Sequence, residues 1–166
     1  MIYVDTSVIV AALDPTDPRR EEARKLLGLR VEKAVSELVI AELTSVLARQ
    51  HKLLANIRDR LGVSERIALI AIILYIVKRF DLRYTSVEGS LRTPLGRFYK
   101  PLAYAIELAE SLRLRTLDLL HLAYIKAMKE RGIWIHTLLT ADTNFKDNEE
   151  DIKRVLGITV DLVKQD

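Results

Sequence analysis

Two kinds of hydrophobic pattern alternate along the chain. Short runs that are apolar on both faces read as strands of a buried parallel sheet. They cover residues 1–5 (MIYVD), 31–35 (VEKAV), 133–140 (IWIHTLLT) and 158–163 (ITVDLV), with a weaker candidate at 83–88 (RYTSVE). Between them lie segments with apolar side chains at helical spacing. These span 7–13, Arg19 to Leu27, Ser36 to Leu47, Ser64 to Phe80, 101–112, 116–131 and 147–156. Ser36, Ser64 and Thr116 stand where a helix needs an N-cap, and Gly132 where one needs a stop. Residues 53–62 fit neither period. Residues 89–97, with Gly89, Pro94 and Gly96, read as a loop, and DTNF at 142–145 as a turn. Strands alternating with helices predict an α/β fold, a central parallel sheet with helices on both faces.

Such a sheet binds ligands beyond the carboxyl ends of its strands. Asp5 ends the first predicted strand, and Asp142 follows the fourth. A carboxylate inside a hydrophobic segment is costly without a partner, so Asp5 needs a reason to be there. As an N-cap for the next helix it would have one. Glu42 lies beside an apolar helix stripe, with Val39, Leu43 and Val46 as neighbours at helical spacing, and a boundary residue reaching solvent fits it equally. Asp118 occupies the first turn of its helix, where the dipole favours an acid, yet His121 and Leu122 share its face. An Asx-turn would explain Asp142. Each local explanation suffices for one residue. Together, two acids at strand ends and two on helices that pack against the sheet predict one acidic cluster at one sheet edge. Four carboxylates so placed repel one another, and a divalent cation relieves the repulsion. All-oxygen ligands favour Mg²⁺ or Mn²⁺ over zinc. Thr6, Ser7 and Thr140 bring hydroxyls to the same edge.

Composition narrows the chemistry further. The 166 residues suit one domain with a real core, and 49% hydrophobic against 30% charged is an ordinary globular balance. No cysteine is present, which excludes thiol nucleophiles and zinc–thiolate sites. The net charge of +3 and pI near 9.2 are compatible with a polyanionic partner. The longest apolar run, Ile67 to Val77, is too short to span a bilayer and is flanked by Arg66, Lys78 and Arg79. It reads as a buried or dimer-forming helix. Asp5 interrupts the first apolar stretch and no cationic segment precedes it, so no signal peptide is expected, and no membrane association.

Four segments, MIYVDTSVIVAAL, SELVIAEL, TLDLLHLAYIKA and LLTADTNF, occur in an order that resembles the PIN-domain nucleases, above all the toxin subunits of VapBC toxin–antitoxin pairs. They span nearly the whole chain. The resemblance implies a PIN-like three-layer α/β/α sandwich formed as a single domain over 1–166. It implies Asp5, Glu42, Asp118 and Asp142 as catalytic, metal-binding residues, with Thr6, Ser7, Thr140 and Asn144 as supporting polar groups. Further implications are Mg²⁺- or Mn²⁺-dependent hydrolysis of single-stranded or looped RNA, a homodimer, a small antitoxin partner and a cytoplasmic location. His121 matches a common family position and is expected to pack or to orient its neighbours. Two departures stand out. Asn144 replaces an acid common in relatives, which weakens the case for a second metal. The segment from about 56 to 100 is enlarged. There Arg92, Arg97 and Lys100 interleave with Phe98 and Tyr99, a pattern that suits either single-stranded RNA or a solvated loop with two packing aromatics.

Competing classes are a housekeeping RNA-processing nuclease of the same family and a non-catalytic RNA-binding or assembly subunit on the same fold. A phosphatase using an Asp after the first strand would want a second Asp at position 7, which is Ser7. A dinucleotide-binding domain would want GxGxxG after the first strand, and none is there.

Overall fold

The structure is a computed structural model that describes residues 1–165. Strand β1 (Ile2–Val4) leads into α1 (Thr6–Leu13) and α2 (Arg20–Leu27). After β2 (Lys33–Val35) come α3 (Glu37–Ala48), α4 (His51–Leu61) and α5 (Glu65–Arg79). Then follow β3 (Leu82–Tyr84), a hairpin of β4 (Ser90–Thr93) and β5 (Gly96–Tyr99), α6 (Lys100–Leu112) and α7 (Thr116–Glu130). The chain closes with β6 (Thr137–Thr140), α8 (Thr143–Asp147), α9 (Glu149–Leu156) and β7 (Thr159–Leu162).

The main sheet has the order β3-β2-β1-β6-β7, every neighbouring pair parallel. Helices flank it, as the alternating pattern predicts. The outer strands β2 and β3 lie on one side of β1, and β6 and β7 on the other, so the strand order reverses at β1. That reversal opens a crevice past the carboxyl ends of β1 and β6. Asp5 and Asp142 come from the two chain segments that border it. Both faces of β1 are covered, and Tyr3 and Val4 are fully buried. On the helical side α1 packs on α2 and α3, while α6 lies along α7.

The helix signals act as read in most places. Ser36 Oγ accepts from Val39 N and Ser64 Oγ from Ile67 N, both at 3.4 Å. Gly132, with φ at +81°, takes the left-handed conformation that closes α7. Thr116 is the exception. The N-cap is Arg115, which makes no side-chain hydrogen bond, and Thr116 is already helical.

Several boundaries need correction. Residues 89–97 are a hairpin rather than a loop, with Leu91 opposite Phe98 and Arg92 opposite Arg97 around a Pro94–Leu95 turn. The alternation of these residues is a strand pattern; the glycine and proline that hid it belong to the turn and its flank, where Gly96 sits at φ +128°. Of residues 53–62, all but the last are helical in α4, which Gly62 closes in the left-handed conformation. The strand expected at 83–88 shrinks to Leu82–Tyr84, and the one at 133–140 to Thr137–Thr140. A tight turn, Ile135 N to Ile133 O at 2.9 Å, occupies the lost part of the latter. DTNF is not an isolated turn: Asp142 caps α8, and Phe145 anchors that helix in the core.

Candidate metal centre at the sheet switch point

Asp5 stands at the N-cap position of α1, yet its carboxylate makes no cap hydrogen bond. Its Oδ2 accepts from Ser7 Oγ at 2.5 Å and from Thr140 Oγ1 at 2.7 Å. Its backbone N–H donates to Leu139 O at 2.9 Å, which pins it to the end of the sheet. The same two hydroxyls brace the opposite loop, Ser7 accepting from Ala141 N and Thr140 from Asp142 N, each at 3.0 Å. Oδ1 of Asp5 is left to face His121 Nε2 at 3.3 Å.

Glu42 reaches the same point from α3. Its Oε2 accepts from Thr6 Oγ1 at 2.5 Å and lies 3.0 Å from His121 Nε2. Burial pushes this carboxyl up, but the His121 hydrogen bond and charge, with the Thr6 hydroxyl, outweigh it and hold the group below its usual range. For His121, only 3% exposed, burial disfavours the charged ring. The Glu42 hydrogen bond and the negative charges of Asp5, Glu42 and Asp118 prevail, and the imidazole titrates above its ordinary value. On its other side, His121 Nδ1 lies 3.0 Å from Tyr3 Oη, which is 2.7 Å from Ser36 Oγ.

Asp118 projects from the first turn of α7. Its Oδ2 is buried without a hydrogen-bond partner. Burial raises its pKa, and Asp142 and Asp5 add repulsion that His121 and Arg115 only partly offset. Asp142 accepts from Asn144 N at 2.9 Å, so its Asx-turn geometry is real, while it also lines the cavity. That cavity, about 700 Å³, brings together Asp5, Glu42, Asp118, Asp142 and His121, with Thr6 and Ser7 in its wall and Arg49 and Arg115 also lining it. Thr140 lies beneath, fully buried. Asn144 does not line the cavity and contributes through its backbone. The basic hairpin does not line it either. Phe98 is the cross-strand partner of Leu91, and Tyr99, 37% exposed, donates to Val87 O at 2.6 Å.

Among the described residues, one group offers ligand atoms that all lie within 4.8 Å of one another, and it comprises Asp5, Glu42 and His121. Asp118 and Asp142 stand outside that tight group. His121, expected from the sequence to pack or to orient its neighbours, stands inside that group beside Asp5 and Glu42. Asp118 and His121 are three apart on one helix face, and Tyr3 and Asp5 two apart along one extended segment, but nothing in the sequence links the two pairs. Arg19 braces the site from outside the cavity lining. Its guanidinium binds Asp17 at 2.8 and 3.0 Å and donates to Ala141 O at 2.7 Å, tying the start of α2 to the residue before Asp142.

A parallel sheet with this strand order, and acids gathered at its switch point, define an α/β/α sandwich with a candidate metal centre past the carboxyl ends of its strands. The chain belongs to the PIN domain family, which it matches over residues 2–151. Solved structures with the same fold include VapC20 of Mycobacterium tuberculosis, a toxin that cleaves the sarcin–ricin loop. It is 19% identical, with TM-score 0.55, covering 89% of this chain and 94% of that one. FitAcB from Neisseria gonorrhoeae aligns at TM-score 0.57 and 18% identity over 96% of both chains. VapBC2 from Rickettsia felis, bound to a DNA fragment from its promoter, aligns at 0.52 and 19% over 99% and 100%. No protein of curated function matches the sequence.

Proposed function

We propose that the protein is a divalent-cation-dependent endoribonuclease and the toxin of a two-protein toxin–antitoxin pair. The observation that carries the reading is the convergence of Asp5, Glu42, Asp118 and Asp142 on one cavity at the switch point of a PIN domain. The donor set fits a cation on grounds internal to the site. Asp118 keeps a buried oxygen with no donor, and Asp5, Glu42 and His121 hold their ligand atoms within 4.8 Å. Asp5, Glu42 and Asp118, with Asp142 at the rim, would hold Mg²⁺ or Mn²⁺. Such an ion polarises a phosphodiester and acidifies a water molecule.

The chain's own groups do the remaining work. Ser7 and Thr140 fix the orientation of Asp5, Thr6 fixes Glu42, and the Asn144 backbone holds Asp142. Arg49 and Arg115 offer guanidinium groups to the phosphates that flank the scissile bond. Asn144 places no carboxylate in the cavity, in keeping with one tightly held ion. The toxin role is supported by solved neighbours that are toxins or toxin–antitoxin complexes. We read the chain as one domain, enlarged at about 56–100 by α4, α5 and the hairpin. An RNA-cleaving toxin acts where its RNA is, so we place it in the cytoplasm.

Purified protein with Mn²⁺ or Mg²⁺ is expected to cut single-stranded or looped RNA and to spare a continuous duplex, with EDTA stopping the reaction. RNA bound but left uncut at millimolar metal would instead identify a non-catalytic subunit.

The homodimer has a candidate face. Ile67, Ile70 and Leu74 form a ridge along α5, exposed by 53%, 47% and 63%. Their spacing of three and four puts them on one side of the helix, an apolar strip that water does not favour. Ile70→Asp is expected to leave a monomer by light scattering. An unchanged dimer would move the interface elsewhere.

A further inference from the structure

We infer that His121 adds a nitrogen ligand to the carboxylates of Asp5, Glu42 and Asp118, so that the site is a mixed nitrogen–oxygen centre favouring Mn²⁺ over Mg²⁺. The inference rests on the proposal that this cavity holds a divalent cation, and it concerns which atoms hold it.

Geometry is the first argument. Two neighbouring ligands on an octahedral ion, each about 2.1 Å away, stand roughly 3.0 Å apart. His121 Nε2 lies 3.0 Å from Glu42 Oε2 and 3.3 Å from Asp5 Oδ1. The same spacing serves a shared proton or a shared ion, so the ring needs no rotation to exchange one for the other.

Orientation is the second. A ligating imidazole needs its other nitrogen tied to an oxygen, which fixes the ring and the tautomer. Tyr3 Oη lies 3.0 Å from Nδ1 and 2.7 Å from Ser36 Oγ, so a ring protonated at Nδ1 can donate to Tyr3 while Tyr3 donates to Ser36. Tyr3 and Ser36 are both fully buried, and His121 is nearly so. With Nδ1–H committed there, the lone pair of Nε2 points between the two carboxylates. Phe145 and Tyr3 also bracket the ring edge-on, at 6.4 and 5.9 Å between centroids. Nothing in such an arrangement is needed for packing alone, since an apolar side chain would fill the space without requiring a hydroxyl relay.

Chemistry sets the consequence. Mg²⁺ prefers oxygen and sheds its water reluctantly, whereas first-row transition ions accept imidazole. Replacing the imidazole nitrogen should therefore weaken Mn²⁺ more than Mg²⁺.

The test is electron spin-echo envelope modulation on Mn²⁺-loaded full-length protein. A ¹⁴N modulation is expected in the wild type, replaced by ¹⁵N in protein carrying ¹⁵N-histidine. The other two histidines, His51 and His136, lie outside the cavity lining, so the signal reports on His121. His121→Gln should remove it and weaken Mn²⁺ about tenfold by calorimetry, with a smaller change for Mg²⁺. Isotope labelling needs no mutation and decides the matter even if that variant fails to fold. Bound Mn²⁺ without nitrogen modulation would overturn the inference and leave an all-carboxylate nuclease standing. No Mn²⁺ binding at all would overturn the inference and the cation-dependent reading together.

Discussion

Asp118→Asn is expected to lower RNA cleavage by a factor on the order of 10³ or more, while leaving the metal-free protein at least as stable as the wild type. The two effects share one cause. Oδ2 of Asp118 is buried with no donor, and the carboxyl is pushed up by burial and by the charges of Asp142 and Asp5. A folded-state pKa above the unfolded one means that the folded protein binds the proton more tightly. The contribution of Asp118 to stability is then most favourable in acid, and is lost as pH rises through the folded value. At neutral pH the ionised group is a burden that Asn removes. Melting curves in EDTA should show the variant matching the wild type at and below pH 4, about the ordinary Asp pKa, and moving ahead of it by about pH 7. Added Mn²⁺ should reverse the order, because a ligand at a hundred times its Kd stabilises by about 2.7 kcal/mol and the variant binds it poorly. A variant less stable than wild type in EDTA at neutral pH would show that Asp118 has a structural partner after all.

The architecture was legible because its signals are local and repeated. Strands such as 1–5, buried on both faces, cannot be mistaken for solvent-facing ones, and Ser36, Ser64 and Gly132 punctuate the helices as their chemistry requires. The hairpin at 90–99 was not legible in the same way. Gly96 and Pro94 are loop residues by type, and only the cross-strand pairing of Leu91 with Phe98 shows that their neighbours are strands. The acids of the site were found because carboxylates on apolar segments are conspicuous. Their distances were beyond reach, since four residues spread from 5 to 142 meet only through the parallel order around β1. His121 shows the limit best. On a helix face next to Leu122 it reads as a packing residue, and nothing local reveals that Tyr3, on a strand 118 positions earlier, fixes its ring.

Asp5→Ala is expected to abolish cleavage as Asp118→Asn does, but at a cost of about 2–4 kcal/mol of stability. Asp5 is 5% exposed, and its Oδ2 is the common acceptor for Ser7 and Thr140. Hydrogen bonds to a charged acceptor contribute about 1.5–3 kcal/mol, and removing the acceptor leaves two donors in a dry site. The loss also travels, because the same hydroxyls accept from the backbone of Ala141 and Asp142 and so hold the β6–α8 loop. Asp5→Asn should fall between. Its amide oxygen can still accept from both hydroxyls, but its NH₂ then meets the His121 Nε2 position, where a protonated ring offers a second donor. Urea denaturation in EDTA separates these cases through the midpoint at constant slope. The ordering wild type above Asn above Ala is required if Asp5 is both a ligand and the keystone of the hydroxyl network. If Asp5→Ala were as stable as Asp118→Asn, the network would be incidental, and the two acids would differ only in position.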